Sequence, residues 1–346
     1  MKKTRCFICQ RQCLIDEGRL GFCQTRKNIA GKIVSLLYGK ITGIQIDPIE
    51  KKPFYHFKPG SLVATIGSFG CNFRCKQCLN YQTTWGANLQ LLKNLPKISP
   101  KQIAQEITAS GYAGIAFSYN EPVLWVEFVA DIATQFKIQN SKFKNKKRFA
   151  VFVTNGSWTK KTIDMLSAID AANIDLKGFS EKTYQKMGAL PRLPAGKAGL
   201  FGKIPQMAVY SQKKGIFLEI TTLLIPTIND NWDELKKMTN FIVQHLGPNT
   251  PWHLSEFDPN LAPDKEFQKL PFTPIENLQK AFEIGRSQGL NHVYVWAPQN
   301  RFFISDTLCP KCKNTVIKRD GWTPTEIFIN QNSTCRFCGY KLNVIL

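Results

Sequence analysis

Apolar positions along this chain fall into short blocks separated by amphipathic stretches. Seven blocks read as strands: "SLVATIG" (61–67), "GIAFSY" (114–119), "FAVFVT" (149–154), "AANIDL" (171–176), "IFLEITTLL" (216–224), "PWHLSEF" (251–257) and "HVYVWA" (292–297). Helical spacing lies between them. In "SPKQIAQEITASG", Ser99 is an N-cap, Pro100 takes the first helical position, Gln102 stands three after the cap and Gly111 fits the stop. "NDNWDELKKMTNFIVQHLG" (229–247) and "TPIENLQKAFEIGRSQG" (273–289) read as amphipathic helices, and the lysine-rich "KIQNSKFKNKKRFA" (137–150) as a helix end entering a strand. Strands alternating with helices predict an α/β fold with a parallel sheet, a full or partial (β/α) barrel. Function in such barrels collects at the C-terminal strand ends.

The residues after each strand are polar and specific. A three-cysteine loop follows the first, "YNEP" with Glu121 the second, and "TNG" with Asn155 and Gly156 the third. The fourth ends in "DLKG" with Asp175 and Lys177. The fifth carries Glu219, Thr221 and Thr222, and the sixth His253, Glu256 and Asp258. Singly, each has a structural explanation: a turn, a helix start, a surface ion pair. Their convergence on one barrel face makes them candidates for a site.

The eleven cysteines form three groups: Cys6, Cys9, Cys13 and Cys23; Cys71, Cys75 and Cys78; Cys309, Cys312, Cys335 and Cys338. An odd, clustered set favours metals over disulfides, as expected of a cytoplasmic chain with reduced thiols. The N-terminus lacks the apolar core of a signal peptide, and no uncharged apolar run reaches about 18 residues, so no membrane span is expected. The net charge of +21 suggests an acidic partner, nucleic acid among the candidates. Lysine dominates the basic residues, 35 against 11 arginines, which fits a solvated surface better than bidentate phosphate contacts.

C-x3-C-x2-C at Cys71, Cys75 and Cys78 supplies three thiolates where four-iron clusters normally take four. The fourth iron is left open, as the fourth position of a catalytic zinc is. At the other end, C-x2-C-x22-C-x2-C (Cys309 to Cys338) reads as a zinc-ribbon-like module closed by four thiolates, with rubredoxin-like iron the lesser alternative. The N-terminal C-x2-C-x3-C-x9-C suits zinc or a second iron–sulfur cluster, and spacing does not decide between them. The expected divisions are 1–58 for the N-terminal Cys-rich module and its lead-in, 59–300 for the barrel and 301–346 for the ribbon. The Gly/Pro-rich "LPRLPAGKAGLFGK" (190–203) reads as a surface-loop insertion.

The cysteine loop after the first strand resembles the radical S-adenosylmethionine (SAM) superfamily. The stretch "GKITGIQIDPIEKKPFYHFKPGSLVATIGSFGCNFRCKQCLNYQ" (39–82) is similar to pyruvate formate-lyase activating enzymes, and more closely to the radical-SAM member of the AmmeMemoRadiSam system. "LEITTLLIPTIND" and "PWHLSEFDP" extend the match. The resemblance implies a [4Fe–4S] cluster on Cys71, Cys75 and Cys78, SAM as cofactor and a 5′-deoxyadenosyl radical. It implies SAM contacts at Glu121, Asn155, Gly156, Asp175 and Lys177, with Glu219 and His253 as further candidates. Gln77 stands where the family has an aromatic residue, Val153 where it has an aspartate, and Asp258 where it has a histidine. The implied partners are a reductant such as flavodoxin or ferredoxin, AMMECR-type and MEMO-type proteins, or a protein that receives a glycyl-type radical. The alternatives are modification of RNA or another substrate, and a non-enzymatic metal-sensing or nucleic-acid-binding protein.

Overall fold

The computed structural model describes residues 3–139, 147–190 and 199–346. Two hairpins open the chain, β1 (Lys3–Arg5) with β2 (Leu14–Asp16) and β3 (Arg26–Ile29) with β4 (Lys32–Ser35). The nine-stranded central sheet then runs in chain order from one edge to the other. Its strands are β5 (Gly43–Pro48), β6 (Leu62–Gly67), β7 (Gly114–Phe117), β8 (Phe149–Thr154), β9 (Ala171–Asp175), β10 (Phe217–Leu224), β11 (Trp252–Glu256), β12 (Val293–Ala297) and β13 (Phe302–Ile304). β6 to β12 are parallel, and β5 and β13 lie antiparallel at the two edges. The edges do not pair with each other, so the barrel is partial.

All seven predicted strands are present. They read as continuous apolar runs because both faces are covered: β7 is buried at every position and β8 at all but one. The helix Pro100–Ala109 starts as expected, with Gln102 N donating to Ser99 Oγ (3.2 Å) and Ser99 N to Gln102 Oε1 (2.9 Å). The helix Trp232–Phe241 widens into a π-helical turn at Ile242–Leu246, and Ile275–Ser287 forms the last helix of the barrel. The lysine-rich stretch does leave the helix Val126–Ile138 and enter β8, but residues 140–146 between them lie outside the described residues, as do 191–198 of the expected insertion.

Both edges reach past the expected divisions. β5 lies within the lead-in and β13 beyond residue 300, yet both complete the barrel sheet. The three-stranded β14 (Thr307–Leu308), β15 (Thr315–Asp320) and β16 (Thr323–Ile327) follows, with a small core of its own around Val316, Ile317 and Ile329. It docks where the loop 49–61 closes the N-terminal ends of the strands. There Ile345 N donates to His56 O (2.8 Å) and Arg319 Nη2 to Tyr55 O (2.6 Å).

Candidate active site

The C-terminal ends of β6 to β10 surround a cavity of about 220 Å³. Cys71, Cys75 and Cys78 line it together with Gln77, Glu121, Val153, Asn155, Asp175 and Lys177. The cysteine loop leaves β6 through Gly70, whose φ of +79° suits glycine. A Cβ there would stand 2.6 Å from Thr25 Cγ2 and 3.0 Å from the Cys23 carbonyl, so only glycine lets the loop lie against the N-terminal module. Asn120 then pins it: its Nδ2 donates to Phe69 O (2.9 Å) and Gly70 O (3.2 Å), and its Oδ1 accepts from Ser68 N (2.9 Å). Asn120 was not among the expected site residues. Its signal lay within "YNEP", because an amide can bridge two loops by donating and accepting at once.

Glu121 is buried, and each carboxylate oxygen is engaged. Oε1 accepts from Thr154 Oγ1 (2.7 Å) and Val123 N (3.3 Å), and Oε2 from Asn155 N (2.8 Å). Burial pushes this carboxyl up to about 7, against the pull of those donors. It ties the β7 and β8 loops together. Asn155 lines the cavity and donates from Nδ2 to Asn72 Oδ1 (2.8 Å). Gly156 does not line it. With φ +69°, Gly156 forms the turn behind Asn155, where a Cβ would meet Ile174 Cγ2 at 2.9 Å.

Lys177 Nζ bonds Asp175 Oδ2. Burial opposes the lysine's charge, but Asp175 and the nearby Cys75 outweigh it and hold its pKa above the ordinary value. Asp175 Oδ1 is buried with no protein partner. Burial pushes the Cys75 thiol up to about 12 and raises that of Cys71 as well, the Glu121 charge adding to the second. A metal must therefore displace protons from these thiols as it binds.

The cavity suits the expected group: three thiols face a wall that holds an orphaned carboxylate oxygen beside an ammonium. Gln77 also faces it, with Nε2 3.6 Å from Met187 Sδ and its carbonyl oxygen unpartnered.

Glu219 and His253, expected as cofactor contacts, lie elsewhere. Both sit at the opposite end of the sheet. Glu219 is fully buried and accepts from Tyr55 N (3.0 Å), His56 N (2.9 Å), Phe57 N (3.2 Å) and His253 Nε2 (2.7 Å). Asp258 caps the turn Pro259–Leu261 through Asn260 N (2.9 Å). Glu256 accepts from Asn300 Nδ2 (2.8 Å), bracing the β12–β13 turn.

The C-terminal thiols are gathered tightly, with Cys309 Sγ 3.6 Å from Cys338 Sγ and Cys312 Sγ 3.8 Å from Cys335 Sγ. Among the described residues this quartet is the one group of three or more His, Cys, Asp or Glu whose ligand atoms all lie within 4.8 Å of one another.

The radical SAM superfamily model matches residues 65–242, which include the three-cysteine loop and the carboxyl ends of β6 to β10. The chain belongs to the radical SAM superfamily. An uncharacterized protein of Methanocaldococcus jannaschii is 33% identical over 348 residues, 99% of this chain and 96% of its own. A second protein of that organism, provisionally named a glycyl-radical enzyme activating enzyme, is 23% identical over 66% of this radical SAM chain and 86% of its own. Among solved structures, a domain of a pyruvate-formate lyase-activating enzyme from Bacteroides vulgatus shares 18% identity and a TM-score of 0.40, over 53% of this chain and 99% of its own. Membership implies a [4Fe–4S] cluster and SAM. Among the described residues, no helix is long and apolar enough to cross a membrane.

Proposed function

We propose that this protein cleaves SAM reductively at a cluster held by Cys71, Cys75 and Cys78, and that the resulting radical activates a protein partner. When bound, the cluster supplies one electron that breaks the sulfonium bond of SAM, giving methionine and a 5′-deoxyadenosyl radical. The observation that carries the reading is the meeting of three thiols, Asp175 and Lys177 in one cavity.

The chain's own residues divide the binding work. Lys177 supplies a positive charge for the methionine carboxylate, and the free Asp175 Oδ1 accepts from its ammonium. Glu121 and Asn155 act one step back. Glu121 fixes the β7 and β8 loops, and Asn155 sets Asn72 beside the Cys71 thiol. The apolar walls at Phe73, Val153 and Leu223 limit water around the reacting bond.

Activation of a protein is favoured over RNA modification by the similarity to activating enzymes. A reductant of the flavodoxin or ferredoxin class completes the electron balance, and the positive net charge suits an acidic one. Assignment to the AmmeMemoRadiSam system, with AMMECR-type and MEMO-type partners, rests on the resemblance of "DPIEKKPFYHFKPGS" (47–61), "LEITTLLIPTIND" and "PWHLSEFDP", and a cytoplasmic location on the clustered cysteines. The 47–61 segment closes the far end of the barrel and meets the cavity at Tyr119, whose Oη donates to Asp47 Oδ2 (3.0 Å) and whose ring lies 4.5 Å from Lys52 Nζ. We assign zinc to the C-terminal quartet. Zn–S bonds of about 2.3 Å in a tetrahedron set sulfur atoms about 3.8 Å apart, close to the separations found.

The test is anaerobic reconstitution with iron and sulfide, then dithionite and SAM, with 5′-deoxyadenosine quantified. The parent should form the nucleoside and Cys75→Ala should fall to background. A reducible cluster without nucleoside would overturn the proposal and favour a metal-sensing or binding role.

A further inference from the structure

The N-terminal quartet was open between zinc and a cluster, and the fold separates the two. Cys6, Cys9 and Cys23 are buried and Cys13 half-buried, all as free thiols. Cys6 lies within electrostatic range of Cys13 and Cys23, and Cys9 within range of Cys6 and Cys23, so the four face one locus. Yet no three of them come within the 4.8 Å grouping that the C-terminal quartet meets. Four thiolates on one zinc must crowd to about 3.8 Å. On an iron–sulfur cluster no three thiolates share one iron, so any three of them stand farther apart. The barrel trio, in the superfamily's cluster loop, shows the same wider spread.

The quartet is also built into the barrel's active end. Cys9 bridges to Trp158, Gln10 N donates to Ser157 O (3.0 Å), and Thr162 Oγ1 donates to Ile8 O (2.6 Å). These contacts seat the first knuckle on the loop that carries Asn155. Arg11 donates to the Asn72 carbonyl and lies over Phe22 at 3.6 Å, while Arg74 of the cysteine loop donates to Phe22 O (3.3 Å). Asn72, next to Cys71, is also a side-chain partner of the Cys9 thiol. The hairpins β1–β2 and β3–β4 have three and four residues per strand, too little to hold this arrangement without a staple.

We propose that Cys6, Cys9, Cys13 and Cys23 ligate a second iron–sulfur cluster, one residue removed from the barrel cysteines across Asn72. The proposal is independent of SAM cleavage, and its test removes the barrel site. The full chain carrying Cys71→Ala, Cys75→Ala and Cys78→Ala is reconstituted anaerobically with iron and sulfide. It should retain acid-labile sulfide and give an electron paramagnetic resonance signal on reduction with dithionite. Adding Cys9→Ser and Cys13→Ser should abolish both, with far-ultraviolet circular dichroism confirming that each variant folds. No sulfide in the first variant, or undiminished sulfide in the second, overturns the proposal. Metal analysis of the unmutated chain gives an independent reading: about one zinc per chain is expected, and about two overturns it.

Discussion

At the C-terminal ends of the strands, carboxylates, amides and a lysine face a cavity, and a buried oxygen of Asp175 lacks a partner. At the N-terminal ends several of the same residue types are locked together, although Glu50 Oε2 and Arg319 Nε there also lack a partner. Glu219 takes three backbone N–H groups and His253, His56 bonds Tyr294 Oη (2.7 Å) and Asn343 O (2.8 Å), and the Arg319 guanidinium lies 4.4 Å over Tyr55. Between Asp175 and Glu219 the difference is one of remaining valence. A polar group that has spent its hydrogen bonds on the scaffold holds the scaffold, and one that retains a free acceptor beside a cavity can hold a ligand.

The largest expected effect breaks the closed end. Glu219→Ala leaves three buried N–H groups and His253 without their acceptor, and should cost about 3–5 kcal/mol of stability. The urea midpoint reads this, and SAM affinity of the surviving folded fraction should stay unchanged. A loss of SAM affinity at constant stability would put Glu219 in the site after all.

This is also where the residues alone misled. The seven strands were legible because a buried parallel strand is a nearly pure apolar run. The cavity residues were legible because strand-end loops are short and their polar residues have few other places to go. Glu219 and His253 sit inside strand runs, and a strand pattern does not say which end of the barrel a buried polar residue occupies. The answer came from the loop 49–61, which reaches across about 160 residues of sequence to offer its N–H groups. Asn72 stayed hidden because its role is a contact between loops, which no local pattern records, whereas Asn120 stood within "YNEP" beside the Glu121 that drew the reading.

The second effect compares two buried carboxyls, one at each end. Glu121 in the cavity and Glu50 at the closed end are both raised to about 7 by burial. A raised carboxyl binds its proton more tightly when folded, so its contribution is full below about pH 4.5 and is lost as pH rises through 7, up to about 3 kcal/mol each. Burial lowers the pKa of His56 and His292, which therefore act in the opposite sense. The comparison is thus between variant and parent. Glu121→Gln should lose less stability than the parent between pH 5 and pH 8 in urea titrations, and Glu50→Gln likewise. If only Glu50→Gln does so, Glu121 is ionised in the empty cavity.

The third acts on the ligand wall. The double variant Asp175→Asn/Lys177→Met removes both charges of the pair, so neither is stranded, and stability should change little. SAM affinity, measured anaerobically by calorimetry on the reconstituted protein, should fall at least tenfold, or about 1.4 kcal/mol. An unchanged affinity would mean that the pair is scaffold, like its counterparts at the far end.

The smallest effect tests where the boundary between the two ends runs. Asp258 follows β11 on the active side of the sheet, so its position in the chain suggests a ligand contact. Its carboxylate instead accepts from Asn260 N (2.9 Å) and caps the turn Pro259–Leu261, and it does not line the cavity. Losing such a cap costs about 1 kcal/mol. Asp258→Ala should lower the urea midpoint by that small amount and leave SAM affinity as it was. A several-fold loss of affinity with no change in midpoint would show that the cofactor reaches past β10 to β11. The open end would then be wider than the cavity lining indicates, and Glu256, now read as a brace for the β12–β13 turn, would become the next residue to test.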